Sequence, residues 1–311
     1  MIGELYDPRK EFGKIVTEMA EENKNIVVFS ADSGKSSGFG DFIKKYPKRY
    51  FECGIMEQGV VGMAAGMAAT GQIPVFCAIA PFVTCRPYEM IRNDIGYMGQ
   101  NVKLVGRNCG LTYSDLGSTH QSLDDFGLMR LIPGMTILAP QDPIEIQEAA
   151  KAMIAHKGPV YMRIGNPKIP QLFERRPFII GKGERLKEGT DVTIITTGST
   201  TRSALEALPI LEKKGISAEL LGFPTVVPLD RELVRASAAK TGKVITVEEH
   251  YIEGGLGTLV AEELSDIEHN VLKRIAVPMD YGKTCGDYEK LLQYYHLDSQ
   301  GIAEAAEAFL K

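Results

Sequence analysis

The sequence of 311 residues has no tryptophan, only five cysteines and no excess of basic residues. The cysteine count is odd and no two cysteines form a C-x-x-C pair, which disfavours a disulfide framework or a zinc site and suits a reducing cytoplasm. Lys and Arg number 35 against 40 Asp and Glu, so the net charge is -5 and nucleic acid is not an expected partner. We therefore predict a cytoplasmic protein whose own side chains bind no metal.

A long stretch without any charged residue covers residues 58–85. An apolar run of this length can span a bilayer. Residues 71–74, Gly-Gln-Ile-Pro, interrupt it, however, and the two halves differ in composition. The first half is rich in Ala, Gly, Met and Val, whereas residues 73–80 form a short run typical of a strand. We therefore predict a buried helix followed by a buried strand, and no membrane partner.

Short apolar runs of strand type alternate with helical patterns along the chain, which indicates parallel sheets covered by helices on both faces. The alternation pauses between Gly165 and Gly189, where three prolines and a mixed charge run indicate a linker. We predict an α/β protein of two doubly wound domains, each a largely parallel sheet flanked by helices, with a mixed second sheet. The predicted boundaries are residues 1–170, a linker at 171–189, and residues 190–311.

The same patterns predict individual elements. Strands are expected at residues 26–30, 50–55, 75–79, 102–105, 135–138, 160–164, 192–196, 218–221, 244–247 and 274–277. Helices are expected at residues 40–46, 56–70, 81–98, 121–131, 143–156, 203–214, 256–264 and 302–310. Gly254, Gly255 and Gly257 precede one of these helices but lack the remainder of a Rossmann fingerprint, so we interpret them as a tightly packed helix start rather than a phosphate site.

Glu57 is the acid at the edge of the uncharged stretch. It lies in the first turn of the predicted helix 56–70, which is apolar on all faces and is therefore expected to be buried against a partner. Desolvation disfavours the charged form of such an acid, and a raised pKa is typical of a functional site. The alternative is an acid that complements the helix macrodipole.

Several motifs together resemble the pyrimidine-binding domain of transketolase-family enzymes. They occupy residues 51–58, 62–68, 86–93, 119–125, 129–135 and 163–167. Residues 248–250 and 254–257 resemble the C-terminal domain of the same family. The resemblance covers essentially the whole chain, but the G-D-G…N motif with which the family binds thiamine diphosphate through Mg²⁺ is absent from the sequence.

The resemblance implies a transketolase subunit that transfers a two-carbon ketol unit from a ketose phosphate to an aldose. Thiamine diphosphate and Mg²⁺ are the implied cofactors, both held mainly by a separate N-terminal transketolase subunit that carries the G-D-G…N site. Activity is expected only with that partner, in an α2β2 assembly that includes a second copy of this chain. The small-residue helix after Glu57 is the expected part of the interface.

The resemblance also assigns catalytic and cofactor-binding roles. Glu57 matches the acid that hydrogen-bonds N1′ of the thiamine pyrimidine ring. His120 matches a substrate-side histidine that bonds a sugar oxygen or transfers a proton. Phe82 and Tyr88 match aromatic residues against the pyrimidine, with ordinary core packing as the alternative.

For the substrate, Arg163 is the strongest match to a phosphate ligand, because a guanidinium presents a planar fork of donors. Arg9 and Ser36 are weaker matches, and a solvated surface charge is the alternative for Arg9. Two positions depart from the family pattern. Leu116 stands where many transketolases have an Asp that reads sugar hydroxyls, and Asn108 stands where a phosphate-contacting His is common. A buried leucine there changes substrate discrimination, so we predict a deoxy, branched or sulfonated sugar.

Two other functions fit parts of the sequence. The first is the β subunit of a thiamine-dependent 2-oxo-acid dehydrogenase, which has a similar length and domain order. The segment Thr119–His120–Gln121 resembles transketolases instead. The second is a non-catalytic assembly subunit that keeps the fold, which the presence of Glu57 and His120 disfavours.

Overall fold

The computed structural model describes residues 3–267 and 271–311. Its strands are β1 (Leu5–Tyr6), β2 (Ile26–Ser30), β3 (Tyr50–Glu52), β4 (Ile73–Ile79), β5 (Lys103–Arg107), β6 (Thr136–Leu138), β7 (Val160–Arg163), β8 (Ile169–Pro170), β9 (Glu184–Lys187), β10 (Val192–Thr196), β11 (Ala218–Gly222), β12 (Thr225–Val227), β13 (Lys243–Tyr251) and β14 (Val271–Val277). Its α-helices are α1 (Pro8–Glu22), α2 (Gly40–Lys45), α3 (Glu57–Ala69), α4 (Ala80–Thr84), α5 (Tyr88–Met90), α6 (Asp125–Arg130), α7 (Pro143–Ala155), α8 (Thr200–Lys213), α9 (Arg231–Thr241), α10 (Leu256–Glu263), α11 (Tyr288–Tyr294) and α12 (Ser299–Leu310). Single 3₁₀ turns cover Pro47–Arg49 and Gly117–Thr119, and a π-helical segment covers Ile91–Tyr97.

Two main sheets organise the chain. The first has seven strands in the order β12-β6-β7-β5-β4-β2-β3, all parallel except β12, which is antiparallel to β6. The second has five strands in the order β14-β13-β10-β11-β9, with β9 antiparallel at its edge. The predicted fold class, two doubly wound α/β domains with a mixed second sheet, is confirmed.

Alternating side chains of each buried strand enter two separate cores. In β2, Val27 and Phe29 pack on one face of the first sheet, while Ile26 and Val28 pack on the other. In β10, neighbouring residues likewise divide between the two cores of the second sheet. Because successive side chains of a strand point to opposite faces, a continuous apolar run requires helices on both sides.

The two halves of the chain share more structure than the predicted boundaries imply. Strand β12 belongs to the second half in sequence, yet it completes the first sheet by pairing with β6. The predicted linker 171–189 is also not wholly a linker, because Glu184–Lys187 forms the edge strand β9 of the second sheet. At the other end of the linker, β8 pairs with β1 near the N-terminus.

The uncharged stretch forms helix α3 and strand β4. One face of α3 is buried, but Gln58, Met63, Gly66 and Ala69 are exposed within this chain. The expectation that the whole helix is buried is therefore not met by the chain alone, and an uncharged helical face remains open. Within residues 3–267 and 271–311, no helix combines the length and apolar character needed to cross a membrane.

The glycine-rich start of α10 is occupied by a carboxylate of this chain. Glu248 in β13 is fully buried, and its Oε2 and Oε1 accept hydrogen bonds from the N–H groups of Leu256 and Gly257, both at 2.7 Å. A Cβ atom on Gly255 would lie 2.0 Å from Glu248 Oε2. The glycines thus allow close packing of a helix start on an internal acid, as the structural interpretation predicts.

Burial raises the pKa of Glu248 to about 7, although the N–H groups of Gly257 and Leu256 partly oppose the shift. Because the ordinary value is 4.5, the folded chain keeps a proton here that the unfolded chain releases. This contribution to stability is present below pH 4.5 and is lost as the pH rises through about 7. We expect Glu248→Gln to remove about 3 kcal/mol of pH dependence between about pH 4.5 and 7.5. Urea unfolding of the wild type and of Glu248→Gln across this range measures the difference. The same dependence of the unfolding free energy on pH in both proteins would contradict the prediction.

Candidate functional site

The candidate residues follow the carboxyl ends of neighbouring parallel strands. Glu57 comes after β3, Phe82 after β4, Ser36 after β2, and Asn108 directly after β5. In doubly wound sheets, ligands bind in the crevice at this edge of the sheet. Sequence order alone therefore brings these side chains to one side of the first domain.

Glu57 is buried, with 3% of its surface exposed, and begins helix α3. Its Oε1 accepts a hydrogen bond from Arg86 Nη1 at 2.6 Å. The Arg86 side chain is 36% exposed, whereas that of Glu57 is 4% exposed. The sequence predicted that Glu57 is buried but did not predict its ion pair with Arg86. The pair places the carboxylate at the start of α3 inside the protein and the guanidinium toward solvent.

Aromatic rings connect Glu57 to His120. The guanidinium of Arg86 lies over the Phe82 ring, 3.9 Å from its centroid. Phe82 packs edge-on against His120 at 5.2 Å between centroids, and Tyr113 does the same at 5.5 Å. The structure thus brings together the two predicted catalytic residues through one continuous set of contacts.

His120 follows the 3₁₀ turn Gly117–Thr119 and is half-buried. Its Nδ1 lies 2.9 Å from Thr119 Oγ1. When this hydroxyl bonds Nδ1, the ring orientation is fixed by Thr119 on one edge and by two aromatic rings on the others. Nε2 is then the nitrogen available for a substrate oxygen.

Tyr88 occupies a different environment from Phe82. It begins the short helix α5, is half-buried, and packs against the hydrophobic core of the first domain. The described contacts of Tyr88 therefore fit the core-packing alternative, and its role beside a pyrimidine ring stays a prediction.

Arg107 ends strand β5 and is 4% exposed. Its Nε donates to Ser37 Oγ at 2.9 Å and its Nη2 to Ser36 Oγ at 3.0 Å. Its Nη1 donates to Asn108 Oδ1 at 2.8 Å. Asn108 is 1% exposed and has a left-handed backbone, with φ of 57°. Ser36 and Asn108, both predicted from the sequence, are thus joined by an arginine to which the sequence assigned no role.

Arg9 lies at the start of α1 and is half-buried. Its guanidinium bonds both carboxylate oxygens of Asp7, at 3.0 and 2.9 Å. That hydrogen bond raises the pKa of Arg9, against the effect of burial. The charge of Arg9 is already balanced within the chain, so its role as a phosphate ligand stays a prediction.

Arg163, the strongest sequence candidate for phosphate, is buried between the two domains. Its Nη2 donates to the backbone oxygen of Glu249 in β13 at 2.5 Å, and its Nε lies 3.5 Å from Asp125 Oδ2. Burial opposes its charge, but the carboxylates of Asp125 and Glu249 raise its pKa above the ordinary value. The planar fork of donors is therefore used in holding the domains together. These contacts do not favour the expected phosphate ligand, because Ser122 and Asp125 of the first domain and Glu249 of the second already engage this guanidinium.

Leu116 was expected to be buried, but 48% of its surface is exposed. The loop that carries it is held from the second domain, where Ser118 Oγ donates to the backbone oxygen of Gly282 at 2.9 Å and Gln121 Nε2 to that of Lys283 at 2.8 Å. The Leu116 side chain is therefore open to solvent in this chain, and its place beside a substrate stays a prediction.

Two further residues belong to the site. Arg86 and Tyr113 contact Glu57 or His120, and neither was assigned a role from the sequence. Two signals were present in the sequence: Arg86 begins one of the family motifs, and Arg107 is a charged residue at the carboxyl end of an apolar strand. Within the described part of the chain, no cluster of three or more His, Cys, Asp or Glu side chains could hold a metal ion.

Comparisons with known proteins identify the family of the chain. Residues 6–171 match the family model described as transketolase, pyrimidine binding domain, and residues 181–302 match the transketolase C-terminal domain. The chain is 38% identical over 305 residues to an apulose-4-phosphate transketolase subunit of Phocaeicola vulgatus, covering 97% of each protein. It is 36% identical to the 6-deoxy-6-sulfo-D-fructose transketolase subunit SqwH of Clostridium sp., covering 96% of this chain and 92% of that one.

A solved structure described as a split gene transketolase, inactive beta4 tetramer, is also similar. It has a TM-score of 0.91 and 38% sequence identity, over 98% of each chain. Both family models match in the order expected from the motifs, and these relatives extend over nearly the whole length. The chain therefore belongs to the transketolase family, as a subunit with the pyrimidine-binding and C-terminal domains.

Proposed function

We propose that this chain supplies the pyrimidine-binding half of a thiamine-diphosphate-dependent transketolase whose diphosphate-binding half is a separate subunit. The reaction transfers a two-carbon ketol unit from a ketose phosphate, or a related anionic ketose, to an aldose. One observation carries the proposal. The buried Glu57 is connected through Arg86 and Phe82 to His120 in a chain without a G-D-G…N site.

The residues around Glu57 suit a pyrimidine ring. The carboxylate is buried, and its only described side-chain partner, Arg86, is partly exposed and able to move toward solvent. A ring nitrogen would then take the place of the guanidinium at Glu57 Oε1, and Phe82 offers a flat apolar surface beside it. Bound thiamine diphosphate supplies the nucleophilic carbon and the electron sink for carbon–carbon cleavage. Mg²⁺ and the diphosphate belong to the partner subunit in this proposal.

His120 acts on the substrate side. With Nδ1 bonded to Thr119 Oγ1, its Nε2 can donate to, or accept from, a sugar hydroxyl. The edge contacts with Phe82 and Tyr113 keep the ring in place, which lowers the entropic cost of positioning a proton donor. His120 is therefore the group proposed to hold a proton at the reacting sugar oxygen.

The sugar is proposed to be non-standard. The named relatives act on apulose 4-phosphate and 6-deoxy-6-sulfo-D-fructose, a branched and a sulfonated sugar. Leu116 is exposed, and by resemblance it stands where many transketolases have an acid that reads a hydroxyl. A site without that acceptor loses discrimination for a hydroxyl at this position. A sugar that carries a hydrogen, a branch or a sulfonate-bearing carbon there is the better fit.

The partner subunit is proposed to cover the open face of α3. Exposed apolar side chains lie on this side of the first domain, at Ile55, Met56 and Met63, and the adjoining π-helical segment ends in the exposed Tyr97 and Met98. Exposed apolar groups of this extent are typical of interaction surfaces. An α2β2 assembly would bury them and bring the partner's diphosphate site to Glu57.

Reconstitution tests this proposal. The chain is co-purified with a candidate partner that carries G-D-G…N, and ketol transfer is measured with thiamine diphosphate, Mg²⁺ and a panel of ketose donors. We expect activity only with both subunits, and a branched, deoxy or sulfonated ketose as the best donor. Preference for xylulose 5-phosphate by a wide margin would contradict the substrate assignment. Decarboxylation of a 2-oxo acid instead would favour a dehydrogenase β subunit.

A further inference from the structure

The loop between β5 and α6 carries His120, and its two ends are anchored in the second domain. Leu111 and Leu123, one near each end, are buried in the hydrophobic core that lies on one face of the second sheet. The N–H of Leu111 donates to Glu249 Oε1 at 2.5 Å. The backbone oxygen of Leu123 accepts from the N–H of Tyr251 at 2.7 Å. The second domain thus fixes both ends of a loop that belongs to the first domain in sequence.

The middle of the same loop is bonded to a second-domain segment that follows β14, residues 282–286. Ser118 Oγ donates to the backbone oxygen of Gly282 at 2.9 Å. Gln121 Nε2 donates to the backbone oxygen of Lys283 at 2.8 Å. These two bonds join side chains of the loop to the main chain of the 282–286 segment, on either side of His120 in the sequence.

The 282–286 segment also donates to the loop. The N–H groups of Cys285 and Gly286 both donate to the backbone oxygen of Ser114, each at 3.0 Å. The segment is itself held in the second domain, because the N–H of Lys283 donates to the hydroxyl of Tyr295, at the end of α11, at 2.9 Å. The segment therefore connects the loop of His120 to the helices of the second domain.

Glycines let the loop and the segment pack closely at two points. A Cβ atom on Gly282 would lie 1.9 Å from Gln121 Oε1. Gln121 is 5% exposed, and its Oε1 is buried without a hydrogen-bond partner in the described structure. An unpaired buried acceptor costs about 1–3 kcal/mol, so the bond from Nε2 and the close packing against Gly282 hold this side chain in place. At the second point, a Cβ atom on Gly117 would lie 2.3 Å from Thr284 Oγ1.

We infer that the 282–286 segment of the second domain positions His120 for the reaction, and that Gln121 and Ser118 are the positioning residues. The inference rests on the proposed function for the role of His120. Gln121 follows His120 directly and Ser118 precedes it by two residues, so their bonds to the segment flank the imidazole along the chain. The edge contacts with two aromatic rings orient the imidazole, whereas these two bonds set where it lies. A displacement of about 1 Å caused by a remote change can cost on the order of 100-fold in rate, so the second domain has a direct route to kcat.

Gly282→Ala tests the inference, because the added methyl group must displace the end of the Gln121 side chain. We expect kcat of the reconstituted enzyme to fall on the order of 100-fold, with little change in KM for the donor. Ser118→Ala is the second variant, since it removes the other bond at an exposed position without adding volume, and it should lower kcat in the same direction. Gly40→Ala is the control, because a Cβ atom there would meet no atom within 4 Å, and it should keep the wild-type kcat. Wild-type kcat in both Gly282→Ala and Ser118→Ala would overturn the inference.

Two further measurements separate positioning from a general loss of structure. In a His120→Ala background, Gly282→Ala should cause no further fall in kcat, because both substitutions remove the same contribution. In the full chain with isotopically labelled histidine, the NMR signal of the His120 ring should move in Gly282→Ala, since the imidazole shifts relative to the rings of Phe82 and Tyr113. An equal fall in kcat with and without His120, or an unmoved His120 signal, would overturn the inference.

The NMR comparison also separates this inference from the proposed function, because it needs neither the partner subunit nor a substrate. If the wild-type complex carries out no ketol transfer, the proposed function fails. The position of the His120 signal in wild type and Gly282→Ala then decides alone whether the 282–286 segment positions the imidazole.

Discussion

Glu57→Gln is expected to lower kcat of the reconstituted enzyme by about 10²–10⁴-fold. Glutamine has nearly the same shape and keeps an acceptor for Arg86, but its amide cannot take or give a proton at the position of Glu57 Oε1. The loss should therefore appear in kcat, whereas assembly with the partner and the unfolding temperature should change little. Steady-state kinetics and size-exclusion chromatography of the same preparations measure the two effects.

Glu89→Gln is the matched control for this substitution. Glu89 is exposed and lies in the same part of the first domain, so that removal of its charge should leave kcat unchanged. Full activity of Glu57→Gln, together with normal assembly, would contradict a catalytic role. That outcome would favour a non-catalytic assembly subunit.

Arg163→Met is expected to lower the free energy of unfolding by about 3–5 kcal/mol. The substitution leaves the carboxylates of Asp125 and Glu249 buried without their cation. It also removes the hydrogen bond to the Glu249 backbone, which ties β7 to β13 across the domain boundary. Chemical denaturation of the full chain measures the change.

The exposed Arg202→Met serves as the control, since its ion pairs with Glu206 and Glu289 lie at the surface and contribute little. The two possible roles of Arg163 predict different results. If Arg163 binds phosphate, Arg163→Met should raise KM for an anionic donor and leave the free energy of unfolding unchanged. If Arg163 holds the two domains together, the substitution should lower the free energy of unfolding and preserve KM in the protein that remains folded.

Most strands were predictable because short, continuous apolar runs between helical patterns are typical of buried parallel strands. The predicted helix 81–98 was less accurate, since the structure divides it into α4, α5 and the π-helical segment. Pro87 explains the break, because its ring cannot continue the hydrogen bonding of α4. Helix α1 was missed although its start has a clear signal, Pro8 in the first turn and Asp7 accepting from the Arg9 N–H.

The location of a candidate site residue was predictable where a motif follows a predicted strand closely. Glu57 and Phe82 follow strand ends, so sequence order places them at one edge of the sheet, whereas His120 reaches Phe82 from the longer segment after β5. Arg163 and Leu116 could not be assessed in this way, because their burial depends on the second domain and on loops held by residues 282–283. The resemblance indicates the residue types, whereas the partners of each charge depend on three-dimensional packing that sequence order does not contain.

Strand β12 has a consequence for how the two domains can be separated. Residues 225–227 lie beyond any cut at the predicted linker, yet they cover the edge strand β6. A fragment that ends near residue 170 would expose a row of unpaired backbone groups on β6, and such edges promote aggregation. The pyrimidine-binding domain is thus not a self-contained module. When C-terminal domains are exchanged between relatives, a strand equivalent to β12 must be present to pair with β6 and keep the first domain from aggregating.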